Sequence, residues 1–306
     1  MKNNTGIKNK IKHFINIFDK RSYETFKIVV NGILCLKDWK QGDLANLGEV
    51  TLGKIQYFFD KSKWNYQKLN SLRIQWIRNK IGGARDKISD ILIFDGTVFA
   101  KNKASKFCGL TDYFFSNKDK KVVRGIELFG ASIITDNGLK YILGIEIFTK
   151  IKDKFLLKNE GASEINSAWR KFMIKTIKKT KSWLVVLDSG FKGAEMCKNI
   201  FENCKKHFLV RISATQVFFD EKGEKFKISE LLKKKNAIYF ENGKMWVFKG
   251  VFLQSWNKKG FKKRINIIVF YKNGLKNPSV LATSAEISDI YDNMIKKTEK
   301  NLLKKN

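Results

Sequence analysis

Two short, wholly apolar runs, each closed by an aspartate and a small residue, restrict this chain more than any other feature. Ile91-Leu92-Ile93-Phe94 leads into Asp95-Gly96-Thr97, and Trp183-Leu184-Val185-Val186-Leu187 leads into Asp188-Ser189-Gly190. Runs this short and without alternation read as central strands of a sheet covered on both faces. The segments around them show other periods. Ile126 to Thr135 and Tyr141 to Thr149 flank Asp136-Asn137-Gly138, a hairpin-turn signal. Ser163 reads as the N-cap of a helix whose apolar face is Ile165, Ala168, Trp169, Phe172, Met173 and Ile177. A further helix carries Met196, Cys197, Ile200, Phe201 and Cys204 into the strand Phe208 to Ile212. Cys197 and Cys204, seven apart on one helical face, read most simply as core residues.

The order strand, hairpin, helix, strand, helix, strand predicts an α/β fold: a mixed sheet with helices on both sides. It is also the element order of an RNase H-like fold. Ahead of it, residues 1–86 read as helical. Apolar positions from Phe14 to Leu34 fall in helical stripes, and a turn at Gly53 joins two short helices. A basic helical region in that place suits a DNA-binding module and, equally, a cap packed on the next domain. The core spans 87–212 and is followed by a β-rich insertion, 213–275, with turns at Glu221-Lys222-Gly223, Glu241-Asn242-Gly243 and Lys258-Lys259-Gly260. Residues 276–306 return through Val280-Leu281-Ala282-Thr283-Ser284 to a last helix with Ile287, Ile290, Tyr291, Met294 and Ile295 on one stripe.

Charge narrows the partners. The 306 residues carry 61 Lys and Arg against 29 Asp and Glu, a net +32. Only eight of the basic residues are Arg, and Lys, Asn, Ile and Phe are all abundant, as codon bias in an AT-rich genome would produce. That bias adds lysines without selection for binding, yet a two-to-one excess still attracts polyanions. Nucleic acid fits better than a membrane surface, which would call for an amphipathic basic helix. Two histidines and four cysteines without a CxxC pair exclude a His-rich zinc site, a zinc ribbon and a disulfide framework. No signal peptide or spanning segment is readable, so the expected location is cytoplasmic, on the nucleoid when bound to DNA.

Asp95 and Asp188 are the candidate catalytic and metal-binding residues. If their strands are neighbours, both carboxylates emerge at one sheet edge within reach of the same Mg²⁺ or Mn²⁺. Two such ions roughly 4 Å apart activate an attacking oxygen and stabilise the leaving oxygen of a phosphodiester. Either aspartate alone is better read as a turn cap. The pair, in this element order and on this basic chain, favours the metal site. Ser189 has no base placed by spacing and reads as a turn residue. No phosphate-cradling glycine motif is present.

Ile93-Phe94-Asp95-Gly96-Thr97, with Lys101 after it and the strand pair following Arg124-Gly125, resembles the first-aspartate block of bacterial DDE transposases. Val186-Leu187-Asp188-Ser189-Gly190-Phe191 resembles their second. The insertion ahead of the third acid, and Tyr57 to Trp64 with Gln67-Lys68-Leu69, are similar to the insertion-sequence family called IS-four. The likeness covers most of residues 45–300. It implies an RNase H-like catalytic domain, two Mg²⁺ ions (or Mn²⁺), double-stranded DNA partners at element ends and target, and paired protomers. Lys101 and Arg211 resemble positions near the active site, and Trp256 or Trp246 in the insertion suits stacking on an unpaired base, though core packing suits both tryptophans better.

The third acid departs from that pattern. The family reads Leu-x-Thr-Ser and then Tyr-x-x-Arg-x-x-x-Glu. Leu281-Ala282-Thr283-Ser284 matches the start, but Met294, Lys297 and Asn301 stand at the Tyr, Arg and Glu positions. Glu299 is rotated about 200° from Asn301 on a helix and substitutes poorly, and Glu286 lies more than three turns earlier. The resemblance thus implies a C-terminally truncated transposase, impaired in DNA cleavage and strand transfer. The alternatives are a catalytically inactive DNA-binding remnant and a basic structural protein whose aspartates merely cap turns.

Overall fold

The computed structural model describes residues 11–36, 40–80, 90–100, 112–116, 119–135, 138–148, 162–188, 193–220, 222–234, 238–240, 243–272 and 278–289. The chain divides into two compact units, Met1–Arg85 and Asp86–Asn306.

The first unit is helical. After a 3-10 turn at Lys12–Ile17 come α1 (Lys20–Cys35), α2 (Gln41–Leu47), α3 (Leu52–Asp60) and α4 (Tyr66–Lys80). Asp19 caps α1: its Oδ1 accepts from the Ser22 amide at 2.8 Å and its Oδ2 from the Ser22 hydroxyl at 2.8 Å. These bonds to the ionised form hold its carboxyl below the ordinary value of 3.8. Leu44 and Ile55 are wholly buried, in one cluster with Phe18, Tyr23, Val29 and Phe58. Phe58 stacks on Trp64 at 5.8 Å. The apolar spacing correctly indicates two short helices, but the turn between them is not at Gly53, which sits inside α3. Instead Glu49 takes a left-handed conformation (φ 52°), and the Val50 amide bonds back to the Ala45 carbonyl at 3.0 Å. This is a helix-ending hydrogen-bond pattern that does not require glycine at the left-handed position.

The second unit is built on a mixed sheet. Its first strands are β1 (Ile91–Ala100), β2 (Asp112–Ser116), β3 (Lys121–Ile134) and β4 (Lys140–Phe148). Helix α5 (Ala162–Lys179) leads to β5 (Leu184–Leu187), and α6 (Ala194–Lys198), continued by a π turn to Asn203, leads to β6 (His207–Ile212). β1 runs antiparallel to β3 and parallel to β5, and β5 runs parallel to β6. With β4 antiparallel to β3, the core order is β4-β3-β1-β5-β6, the arrangement of an RNase H-like α/β fold. The two aspartate-tipped runs are therefore central strands, as their unbroken hydrophobicity predicts.

Residues 217–272 form β7 (Val217–Phe219), β8 (Lys225–Lys227), helix α7 (Ile228–Lys234), β9 (Ile238–Phe240), β10 (Gly243–Leu253), the short α8 (Gln254–Asn257) and β11 (Ile265–Lys272). This β-rich segment extends the core sheet: β12 (Ser279–Thr283) lies between β6 and β11, and β11 pairs with β10. β10 bulges between Phe248 and Val251, and its far end pairs with β7.

Alternation along the strands separates two faces. Leu92, Phe94, Phe129, Val185, Leu187, Phe208 and Val210 are buried on one of them. Phe172 of α5 meets Phe94 and Phe129 edge-on, and Trp169 stacks on Phe129. Truncating Phe94 or Phe129 to Ala would cost about 3–5 kcal/mol. Cys197 is wholly buried, and burial pushes its thiol far above the ordinary range, so it is a core residue without redox chemistry. On the opposite face, Ile91, Leu184 and Ala285 form a smaller cluster with Ile93, Val186 and Leu209 around it.

Candidate functional site

Both aspartates lie on the face of this smaller cluster. Parallel pairing places Ile93 beside Val186 and Val186 beside Leu209, then Phe94 beside Leu187 and Leu187 beside Val210. The next residues are Asp95 on β1, Asp188 just past the end of β5, and Arg211 on β6. They stand level, share a face because each follows its inward neighbour by one, and are all exposed. Neighbouring strands are about 4.8 Å apart, so Asp95 and Asp188 can contact one cation together, with Arg211 one strand further on.

Asp95 is not at the end of its strand, as the Gly96 that follows it suggested. β5 stops at Leu187, but β1 continues to Ala100 by pairing with β3 alone. Asp95 therefore marks the point where parallel pairing gives out while the antiparallel arm runs on. Opposite it on β3 is Gly130, which puts no side chain beside the carboxylate. The Asp95 Oδ1 accepts from the Gly96 amide at 2.8 Å, which orients the carboxylate. Among the described residues, neither aspartate is held by an ion pair. Two exposed carboxylates with oxygens to spare, side by side and otherwise unengaged, are a donor set that fits Mg²⁺ or Mn²⁺.

The other expected site residues have different fates. Arg211 joins the row on β6. Trp256 does not reach a DNA-contacting surface: it is 5% exposed on α8, in a ring cluster with Phe208 and Phe261 at 5.7 and 5.6 Å. An indole so enclosed cannot stack on a base, so its role is packing. Trp246 packs edge-on against Tyr271. Glu286 follows Ala285 at the other edge of the sheet, since Ser284 is bonded to Phe208 and His207 rather than lying near Arg211. Lys101, Ser189, Glu299 and Asn301 lie outside the described residues. Among the described residues no three His, Cys, Asp or Glu side chains cluster as a metal site. Sequence reading also missed Thr97 and Phe99, which follow Asp95 on the same face, because it ended the strand at the aspartate.

No family model matches this chain, and no curated protein matches it. Among solved structures it is similar to the NurA nuclease from Sulfolobus solfataricus, at 10% identity and a TM-score of 0.32, over 76% of this chain and 84% of that one. A likeness that slight assigns no role to any residue. Among the described residues no helix is long and apolar enough to cross a membrane.

Proposed function

We propose that this protein cleaves nucleic-acid phosphodiesters with the help of divalent metal, and that it does so as a transposase of the DDE type. The observation that carries the reading is that Asp95 and Asp188 directly follow Phe94 and Leu187, which are paired on adjacent parallel strands, and that both are exposed and, among the described residues, in no ion pair. Those two side chains would hold Mg²⁺ or Mn²⁺, which when bound supplies positive charge against the phosphodiester and a more acidic water. Asp95, oriented by the Gly96 amide, and Asp188 fix where that charge sits. Arg211 adds a fixed cation on the adjoining strand for a non-bridging phosphate oxygen. The +32 chain supplies sequence-independent attraction to the DNA backbone. The transposase assignment, with strand transfer to target DNA by paired protomers and the helical unit as a DNA-binding module, is supported by the resemblance of the two aspartate blocks.

The test is cleavage of labelled duplex DNA with Mg²⁺ or Mn²⁺. Cutting that Asp95→Asn and Asp188→Asn each abolish supports the reading, and cutting indifferent to both overturns it. Joining of a 3′-hydroxyl end to a second duplex tests the transposase step. If Asn301 marks a lost third acid, Asn301→Glu raises the cleavage rate. The lack of a third clustered acid among the described residues favours a second reading, a DNA-binding remnant without cleavage. It predicts salt-dependent binding that chelators and Asp95→Asn leave unchanged.

A further inference from the structure

We propose that the sheet face next to Asp95 is a stacking platform for unpaired bases, with Phe99 and Tyr113 as its aromatic contacts. Strand alternation puts Asp95, Thr97 and Phe99 on one side of β1, with Phe99 about 13 Å from the aspartate. Phe99 pairs with Ile126 of β3, and two residues along that strand Arg124 pairs with Tyr113 of β2. Directly paired residues share a face, so Phe99, Arg124 and Tyr113 all lie on the aspartate side. The Phe99 side is 55% exposed and Tyr113 62%. Between them β3 is pressed hard against β1. A Cβ on Gly125 would come within 2.3 Å of the Phe99 carbonyl oxygen, so the two backbones approach closely beneath the rings and only glycine fits there.

Two rings more than half exposed on one side of the sheet, flanking an arginine, offer open aromatic faces to a planar ligand. Bases stack on aromatic faces without regard to sequence, each worth about 1–3 kcal/mol, and basic residues between the rings hold the backbone. A duplex hides its base faces, so the occupant that uses both ring and charge is a strand with unpaired nucleotides. The net +32 of the chain complements a polyanion, and the platform is continuous with the face on which Asp95 and Asp188 stand. The ligand is thus a frayed or single-stranded stretch leading to the scissile phosphate. This deepens the cleavage reading and rests on it for the location of that phosphate.

The experiment uses the full chain carrying Asp95→Asn, in chelator, so that neither metal nor cleavage enters. The probe is a single-stranded oligonucleotide containing 2-aminopurine, compared with a blunt duplex. The expected result is quenching on binding, an about ten-fold loss of single-strand affinity in Phe99→Ala or Tyr113→Ala, and rescue by Phe99→Trp. Duplex affinity should stay within about two-fold. Unchanged single-strand affinity overturns the platform, and so does an equal loss for both probes. A dimer in sedimentation that Phe99→Ala dissolves also overturns it, because Val122 and Ile145 share the face at 62% and 52% exposure and would then seat a second copy. If quenching follows the prediction while wild-type protein fails to cut DNA with Mn²⁺, the cleavage reading alone falls.

Discussion

The two ends of the parallel strands both carry polar and charged side chains and put them to opposite uses. At the entry end, polar groups satisfy one another. The Lys206 ammonium donates to the carbonyls of Thr180 and Ser182 at 2.7 and 2.5 Å, and the Thr180 and Ser182 hydroxyls are 3.0 Å apart. His207 Nδ1 lies 2.9 Å from the Ser284 carbonyl. The Thr283 hydroxyl donates to Phe208 O at 2.6 Å and accepts from the Ala285 amide at 3.1 Å. At the exit end Asp95, Asp188 and Arg211 stand exposed, and among the described residues the Gly96 amide donates to the Asp95 carboxylate. A lysine or threonine bonded into the fold stabilises it, whereas charges level on three strands and left in solvent contribute almost nothing to stability. The contrast teaches that the exit end is the one available for chemistry.

Substitutions at the two ends should separate cleanly. The largest effect is expected at the exit end: Asp95→Asn or Asp188→Asn lowers metal-dependent cleavage roughly a thousand-fold, the scale of a lost metal-stabilised charge. Their unfolding free energies should stay within about 0.5 kcal/mol of wild type by denaturant titration. Large destabilisation by either would erase the contrast. At the entry end Thr283→Val should do the reverse. It strands the Ala285 amide in a site that is 0% exposed and leaves the Phe208 carbonyl only the longer bond from the Ser284 amide at 3.3 Å, costing about 1–3 kcal/mol, with Mn²⁺ affinity unchanged by calorimetry.

Asp19 sharpens the contrast as a carboxylate that the fold does use. Its hydrogen bonds to Ser22 keep the folded carboxyl below its unfolded value, so the folded state binds that proton less readily. The stabilisation is present above the ordinary value and is lost as pH falls through the lower folded one. Acid titration of the helical unit's circular dichroism should show this loss in wild type and a reduced loss in Asp19→Asn. The smallest effect is Arg211→Ala, which should reduce the slope of log affinity against log salt by about one and leave stability alone. An unchanged slope would remove Arg211 from the phosphate path.

Central strands were legible because β5 and the first four residues of β1 are covered on both faces, which leaves an unbroken apolar run of four residues. The helices over Phe94 and Phe129 were legible from the stripe Trp169, Phe172, Met173, Ile177. Gly53 misled because a glycine is only a common way to end a helix, and Glu49 does it here by hydrogen bonding. Trp256 is enclosed, as the favoured core-packing reading predicts, and only its stacking alternative fails. β2 and the far half of β1 were missed because alternating, half-exposed segments carry a weak signal once an Asp-Gly pair suggests a turn.

The residues alone settled the kinds of element, the placing of each aspartate directly after a buried apolar run, and the strong positive charge, because these follow from local periodicity and composition. Pairing decided the rest. That β1 and β5 are neighbours in a register that brings Asp95 level with Asp188, and that Arg211 rather than an acid stands on the third strand, depends on hydrogen bonds between segments about ninety residues apart. Local sequence does not encode such distant pairing. The same pairing makes Phe99 part of an exposed face, since a strand's alternation has meaning only once its partner sets which side is covered.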